Sequence, residues 1–300
     1  MQCGSVSSLP PRVPPSPRPL SLRPSYSRVF VTFARNSLVR SMTFRMNFLV
    51  ECVASMSWVL MNFGFYVLVF HEINAGGRYS QLAPESGWGQ YEFFVFLSTT
   101  LFINSLVQAF FMPNAAEFSE LIRTGGLDFA LLKPIDTQFL VSLREVDWSS
   151  LGNFLFGGAL LTFSLFKMGH QPGPLAFVLY PFYVLCGVAV MYSLMITLAA
   201  TSIWIGRNTT LYDFWFYLTN FARYPMEIYR GSFGLPLRWF FTFIIPVLVV
   251  VNVPARILAR PLTAEGSYLS LFALAATVLS LLASRWVFQR ALLSYRSASS

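Results

Sequence analysis

Apolar residues along this chain gather into runs of bilayer length, at 47–70, 91–112, 149–167, 174–204, 211–227 and 268–288. A hydrocarbon layer about 30 Å thick takes about 20 apolar residues to cross as a helix, so the pattern predicts six spans. The run 174–204 is long for one crossing. No charge or turn signal divides it after Pro181, so it reads as a single tilted span. The stretch that follows the fifth run is apolar but broken by Gly231, by Gly234-Leu235-Pro236, and by Pro246 and Pro254. These breaks predict a pair of short re-entrant helices that dip into the membrane without crossing it, with their irregular backbone shielded by protein. The competing reading is a straight crossing over 238–253, which gives seven spans.

The polar interruptions have patterns of their own. Between Pro113 and Trp148, Phe118, Leu121 and Ile122 fall at i, i+3 and i+4 opposite Glu117, Glu120 and Arg123. Gly125 and Gly126 then stop the turn, which describes a short amphipathic helix with a glycine C-cap. Lys133-Pro134 breaks the run, and Asp136 is a candidate N-cap for a second helix with Phe139, Leu140 and Leu143 on one face. From Arg28 to Arg45, Phe30, Phe33, Leu38, Val39 and Met42 interleave with Arg35, Arg40 and Arg45. That pattern predicts an interfacial amphipathic helix leading into the first span; the alternative is that it merely continues that span. Residues 1–27 hold seven prolines and seven serines without a hydrophobic period, so a disordered tail is expected there. It reads either as an organellar transit segment or as the product of a misassigned upstream start codon, with a start near Val29 or Val31 fitting better.

Composition settles the class. With 55% hydrophobic and 11% charged residues and a mean hydropathy of +0.57, the expected fold is an all-α integral membrane protein. Charge sets the orientation. Seven of the 21 basic residues are arginines ahead of the first span, whereas the loop from His71 to Gln90 holds only Arg78. Arg285, Arg290 and Arg296 lie at the other end of the chain. The bias of basic residues toward the cytoplasm places both termini inside a plasma (inner) membrane and favours six spans. Arg230, Arg238, Arg256 and Arg260 then fall on the outer side, against that bias. The net charge of +8 is not gathered in a soluble domain. The acid-free stretch before Glu51 suits anionic lipid headgroups, and nucleic acid is not expected as a partner.

Candidate chemistry is sparse. The two lysines, Lys133 and Lys167, do not follow glycine, so no GxxxxGK[ST] phosphate loop exists. His71-Glu72 lacks a second histidine at zinc spacing, His170 stands alone, and GxSxG is absent. No catalytic residue, metal site or cofactor is therefore expected in this chain. Glu51 lies about one turn into the first span, where it can snorkel to the cytosolic face or pair with an arginine of the preceding helix. Asp213 fits the first turn of the fifth span as a helix-dipole partner. Arg223, just before Tyr224-Pro225 at the outer end of that span, serves either to fix position or to touch substrate. The clusters Phe93, Phe94, Phe96 and Phe240, Phe241, Phe243 read as lipid-facing packing. Trp88, Trp148 and Trp239 read as interface anchors, and Ala276 with Ser280 as a small-residue pair in the last span. Cys3, Cys52 and Cys186 form no framework.

Five segments together, ELIRTGGLDFALLKPID, FLVSLREVDWSSL, FARYPMEIY, IIPVLVVVNVPARIL and the SYRSASS tail, resemble the permease subunits of type-2 ABC exporters. The likeness is to a poorly characterised bacterial branch and extends from about Val31 to the end. It implies a six-span domain that dimerises, with a second permease copy or a paralogue, on separate ABC ATPase subunits that bind ATP and Mg. It also implies a cytosolic coupling element between spans 2 and 3, with Glu120, Leu121, Arg123, Gly125, Gly126, Leu127, Asp128, Lys133 and Pro134 at or near the ATPase surface. Arg223, Tyr224, Pro225, Pro246 and Pro254 would belong to the outer re-entrant region. Two other classes stay open, an ion-coupled secondary transporter and a non-transporting membrane scaffold.

Overall fold

The computed structural model describes residues 25–75, 87–169, 172–205, 217, 220–260 and 264–295. Among these the regular structure is helical, with no strand. The first 24 residues, Arg78, Asp213, the first part of the predicted fifth span (211–216, 218 and 219) and the end of the tail lie outside the described residues.

Helix α1 (Tyr26–Thr43) ends at Phe44, whose backbone is non-helical (φ −106°, ψ 52°), and α2 (Arg45–Asn74) begins at once. The amphipathic segment is thus a separate helix and does not simply prolong the first span. Its apolar set divides. Phe33 leans on the bundle and Phe30 meets Phe110 at 6.1 Å, while Val31, Leu38, Val39 and Met42 face outward. Helix α2 is exposed along most of its length.

Helix α3 (Gln90–Phe110) runs almost without pause into α4 (Met112–Arg123), followed by α5 (Gly126–Leu131) and α6 (Thr137–Leu143). The next two long helices are α7 (Leu151–Met168) and α8 (Pro174–Ala200), the latter continued by the single turn α9 (Ser202–Ile205). Pro181 sits inside α8 and does not end it. The last helix, α12 (Ala264–Ser294), outruns its predicted span at both ends.

Before α12, where the sequence predicts a re-entrant pair, stand two helices with a sharp bend between them. Helix α10 (Gly231–Trp239) passes through a π-helical turn, Phe240–Ile244, and meets α11 (Val247–Ala259) at 86°. The break at Ile245-Pro246 means that 238–253 is not one straight helix, and the bent pair is either a broken span or a re-entrant loop. Pro246 is the N-cap of α11, whereas Pro254, expected to be a breaker, lies inside that helix. Among the described residues, five helices are long and apolar enough to cross a membrane, or six if the bent pair is one span.

The core forms where α3, α8 and α11 meet. Helix α11 is buried along nearly its whole length. Close approach is possible because residue 187 is glycine. A Cβ there would stand 2.9 Å from Ile103 Cδ1 and from Val250 Cγ1, and 3.1 Å from the Val250 carbonyl oxygen. Phe93, Phe94 and Phe96 belong to this core. Phe93 and Phe94 pack on Tyr66, Phe63 and Phe70 of α2 and Phe96 on Trp88, which corrects their reading as lipid-facing residues.

Candidate functional site: an elbow tied to the spans

Helices α4, α5 and α6 fold back on one another at one end of the bundle. Gly125, at φ +72°, takes the left-handed conformation that closes α4, as the glycine stop predicts. A new helix then starts at Gly126, which the sequence reading did not separate from the stop. Phe118 is fully buried, with Leu121 and Ile122 half-buried beside it. Glu120 and Arg123 form an exposed ion pair with Nε–Oε2 at 2.8 Å.

The remaining predicted coupling residues divide in two. Leu127 is fully buried in the main apolar cluster and so cannot lie on a contact surface. Gly126 packs against Leu121, and Asp128 is half-buried. Lys133 and Pro134 are exposed. Between Asp128 and Lys133, Phe129 is 73% exposed and Leu132 81%, with Leu131 beside them. Sequence reasoning missed this apolar tip. The signal was available in FALLKP, because a six-residue helix has room to bury only one face.

The third helix of the elbow carries the connections. Asp136 caps α6 by accepting from the Phe139 amide at 3.0 Å, as its position predicts. The buried face differs from the expected one, since Gln138, Val141 and Ser142 turn inward with Leu140. The cause is Tyr192 of α8, whose hydroxyl accepts from Gln138 Nε2 at 3.0 Å and lies 3.0 Å from Ser142 Oγ. Phe139 instead packs edge-on to Tyr26 of α1. Arg285 of α12 donates to Asp136 Oδ1 at 3.0 Å, to Asp136 Oδ2 at 2.5 Å and to Gln138 Oε1 at 3.0 Å. One short helix is thereby tied to two long ones.

The loop leaving α6 is held as firmly. Asn114 accepts from the Glu145 amide and donates to its carbonyl. The Arg40 guanidinium makes two 2.6 Å bonds to the Glu145 carboxylate, Ser37 accepts from the Val146 amide, and Trp148 donates to the Ala34 carbonyl. These contacts seat α1 against the elbow. They also show that the arginine of the preceding helix pairs with Glu145, while Glu51 accepts from Asn47.

Two carboxyls here titrate below their ordinary range. Burial works upward on Asp136, but the Arg285 guanidinium and the Phe139 and Gln138 amides outweigh it. Arg40 draws Glu145 down against its burial. A carboxyl with a depressed folded pKa adds stability that is present above its unfolded pKa and is lost as pH falls through the folded one. Thermal unfolding of the wild-type protein should therefore move to lower temperature as pH drops below about 4. The Asp136→Asn/Glu145→Gln variant should show a clearly smaller shift; equal shifts in both would remove these pairs from the account.

At the opposite end of α3, the helical residues of the predicted fifth span stop at 222, short of the expected 227, and Pro225 is the N-cap of a 3-10 turn, Met226–Ile228. Asn252, fully buried on α11, accepts from the Met226 amide at 3.1 Å and donates to the Leu248 carbonyl at 2.7 Å. The Glu227 carboxylate pairs with Arg256 and accepts from Trp88 Nε1 at 3.0 Å. Arg260 lies over the Trp88 ring at 4.6 Å and 3.5 Å from Glu92. Trp88 is thus a buried hub and not an interface anchor, and two of the four arginines that opposed the charge bias are paired within the fold. Arg223 reaches Asn62 of α2 at 3.5 Å, and Tyr224 stacks edge-on to Tyr66.

A family model described as ABC-2 family transporter protein matches residues 56–299. No curated protein matches the chain.

Proposed function

The chain belongs to the ABC-2 transporter protein family, and from that premise we propose that it is the permease subunit of an ATP-driven exporter. In this reading it works as a dimer, with a second copy or a paralogue, in the plasma membrane with both termini in the cytoplasm. It has no ATPase site of its own; ATP and Mg are bound by separate ATPase subunits on its cytosolic face. The bent pair α10–α11 forms the outer region, with Arg223, Tyr224, Pro225 and Pro246.

The observation that carries the proposal is the elbow. It leaves Phe129 and Leu132 exposed, and Lys133 and the Glu120–Arg123 pair are exposed on the same elbow. Through Asp136, Gln138 and Ser142 it is also hydrogen-bonded to α12 and α8. An exposed apolar anchor with a charged rim is what a docked partner covers. A part pushed there moves two spans and not a loop alone. Nucleotide drives such a motion only by binding one state of the assembly more tightly than the other. Coupling therefore requires a rigid link, which the Arg285–Asp136 pair supplies.

The test is co-purification with an ATPase subunit encoded beside this chain. The wild-type pair should survive purification as a complex. The Phe129→Asp/Leu132→Asp variant should insert normally and lose the ATPase, with affinity reduced 100-fold or more, since two central apolar anchors are worth about 2 kcal/mol each. An undiminished complex would contradict the docking role.

A further inference from the structure

A cavity of about 530 Å³ opens beside the break between α1 and α2, on the side facing the loop that follows α6. Its walls are of two kinds. Phe44, Phe48, Pro113 and Val146 give apolar surface, and Arg40, Glu51, Glu145 and Asp147 give a charged rim. Arg40 is engaged by Glu145, so the guanidinium offsets one carboxylate. Asp147 accepts from the Ser149 and Ser150 hydroxyls, and Glu51 from the Asn47 amide at 2.7 Å; among the described residues neither forms an ion pair. Three carboxylates against one guanidinium leave the lining negative. Residues of α1 form one wall, and on the reading of α1 as an interfacial helix, on which this inference rests, the opening lies at the depth of lipid headgroups.

We propose that this cavity binds an organic cation carrying an apolar group, taken up from the headgroup layer. The volume lies within the range of small-molecule pockets, and the mixed walls suit such a ligand. The apolar part lies against Phe48, Pro113 and Val146. The cation meets Glu51 and Asp147 in a partly desolvated site, where opposite charges attract more strongly than in water, and the Phe44 ring adds a cation–π face. Anions are rejected by the same field. Glu51 is the residue through which to probe the site. It is exposed on the rim and bonded within its own helix, so its replacement leaves the ion pairs of the fold in place. An organic cation of this kind has two sources, a free amphiphile or an amine-headed membrane lipid.

The experiment is equilibrium binding of radiolabelled tetraphenylphosphonium to the purified full chain in maltoside micelles, with no ATPase present. Its outcome is therefore independent of the coupling proposal. Wild type should bind saturably at one site per chain. Glu51→Gln should raise the Kd about tenfold, Glu51→Asp should recover most of the loss, and Phe48→Ala should also weaken binding. Displacement by dodecyltrimethylammonium alone assigns the site to free amphiphiles, and displacement by sphingosine, a lipid whose amine headgroup carries no phosphate, alone assigns it to a membrane lipid. Displacement by both supports cationic amphiphiles in general. Failure of both competitors, or the same Kd in wild type and Glu51→Gln, would overturn the proposal.

Discussion

Leucine in place of Gly187 should prevent the protein from reaching its native fold. The Cβ alone would stand 2.9 Å from side-chain carbons on two neighbouring helices and 3.1 Å from the Val250 carbonyl oxygen. The side chains can turn away, but the carbonyl belongs to the backbone of α11 and cannot. Helices α8 and α11 would have to separate, and α11 is buried along nearly its whole length. Overpacking a core costs about 1–3 kcal/mol when side chains alone adjust, and more is expected when a helix must move. Against a total stability of about 5–15 kcal/mol, the predicted result is loss of the monodisperse peak on size-exclusion chromatography and of the cooperative thermal transition. Gly187→Ala should lie between the two. A Gly187→Leu protein with wild-type melting would show that α3, α8 and α11 do not meet as described.

The second large effect concerns Asp136. Replacement by arginine removes the N-cap of α6, worth about 1 kcal/mol, and sets two guanidiniums facing each other where Arg285 now bonds the carboxylate. The elbow should lose its tie to α12 while the spans remain folded, because the core of α3, α8 and α11 does not include this pair. ATP hydrolysis by the partner should then proceed without driving transport, an uncoupling of at least tenfold. The exchanged pair Asp136→Arg/Arg285→Asp restores opposite charges and should recover part of the coupling, although not the cap. Equal coupling in wild type and the single Asp136→Arg variant would mean that the link runs elsewhere.

The parts of this molecule that were legible in the sequence are those fixed by local chemistry. Apolar runs located the five long helices, because the membrane sets their length. Gly125 announced a left-handed stop, Asp136 an N-cap, and Pro246 a break. The misreadings have a common cause, which is that tertiary partners decide faces that periodicity cannot. The inward face of α6 is polar because Tyr192 waits for it on α8. Trp88 sits at a helix entrance, as an anchor would, yet Glu227, distant in sequence, receives its N–H. Pro254 reads as a breaker but is absorbed within a helix buried on all sides. Leu127 and Leu132 belong to one short motif, and only packing shows that the first is covered and the second open. In the elbow, sequence alone therefore located the segment but not which of its side chains are free to be covered.

The central claim is that this chain is moved by a separate ATPase through its elbow. Its most direct test is ATP hydrolysis by that ATPase in proteoliposomes, with wild-type chain, with the Phe129→Asp/Leu132→Asp variant, and with no chain. The account predicts hydrolysis stimulated several-fold by the wild type alone, with the variant no better than the empty vesicle. Equal stimulation by wild type and variant would contradict it.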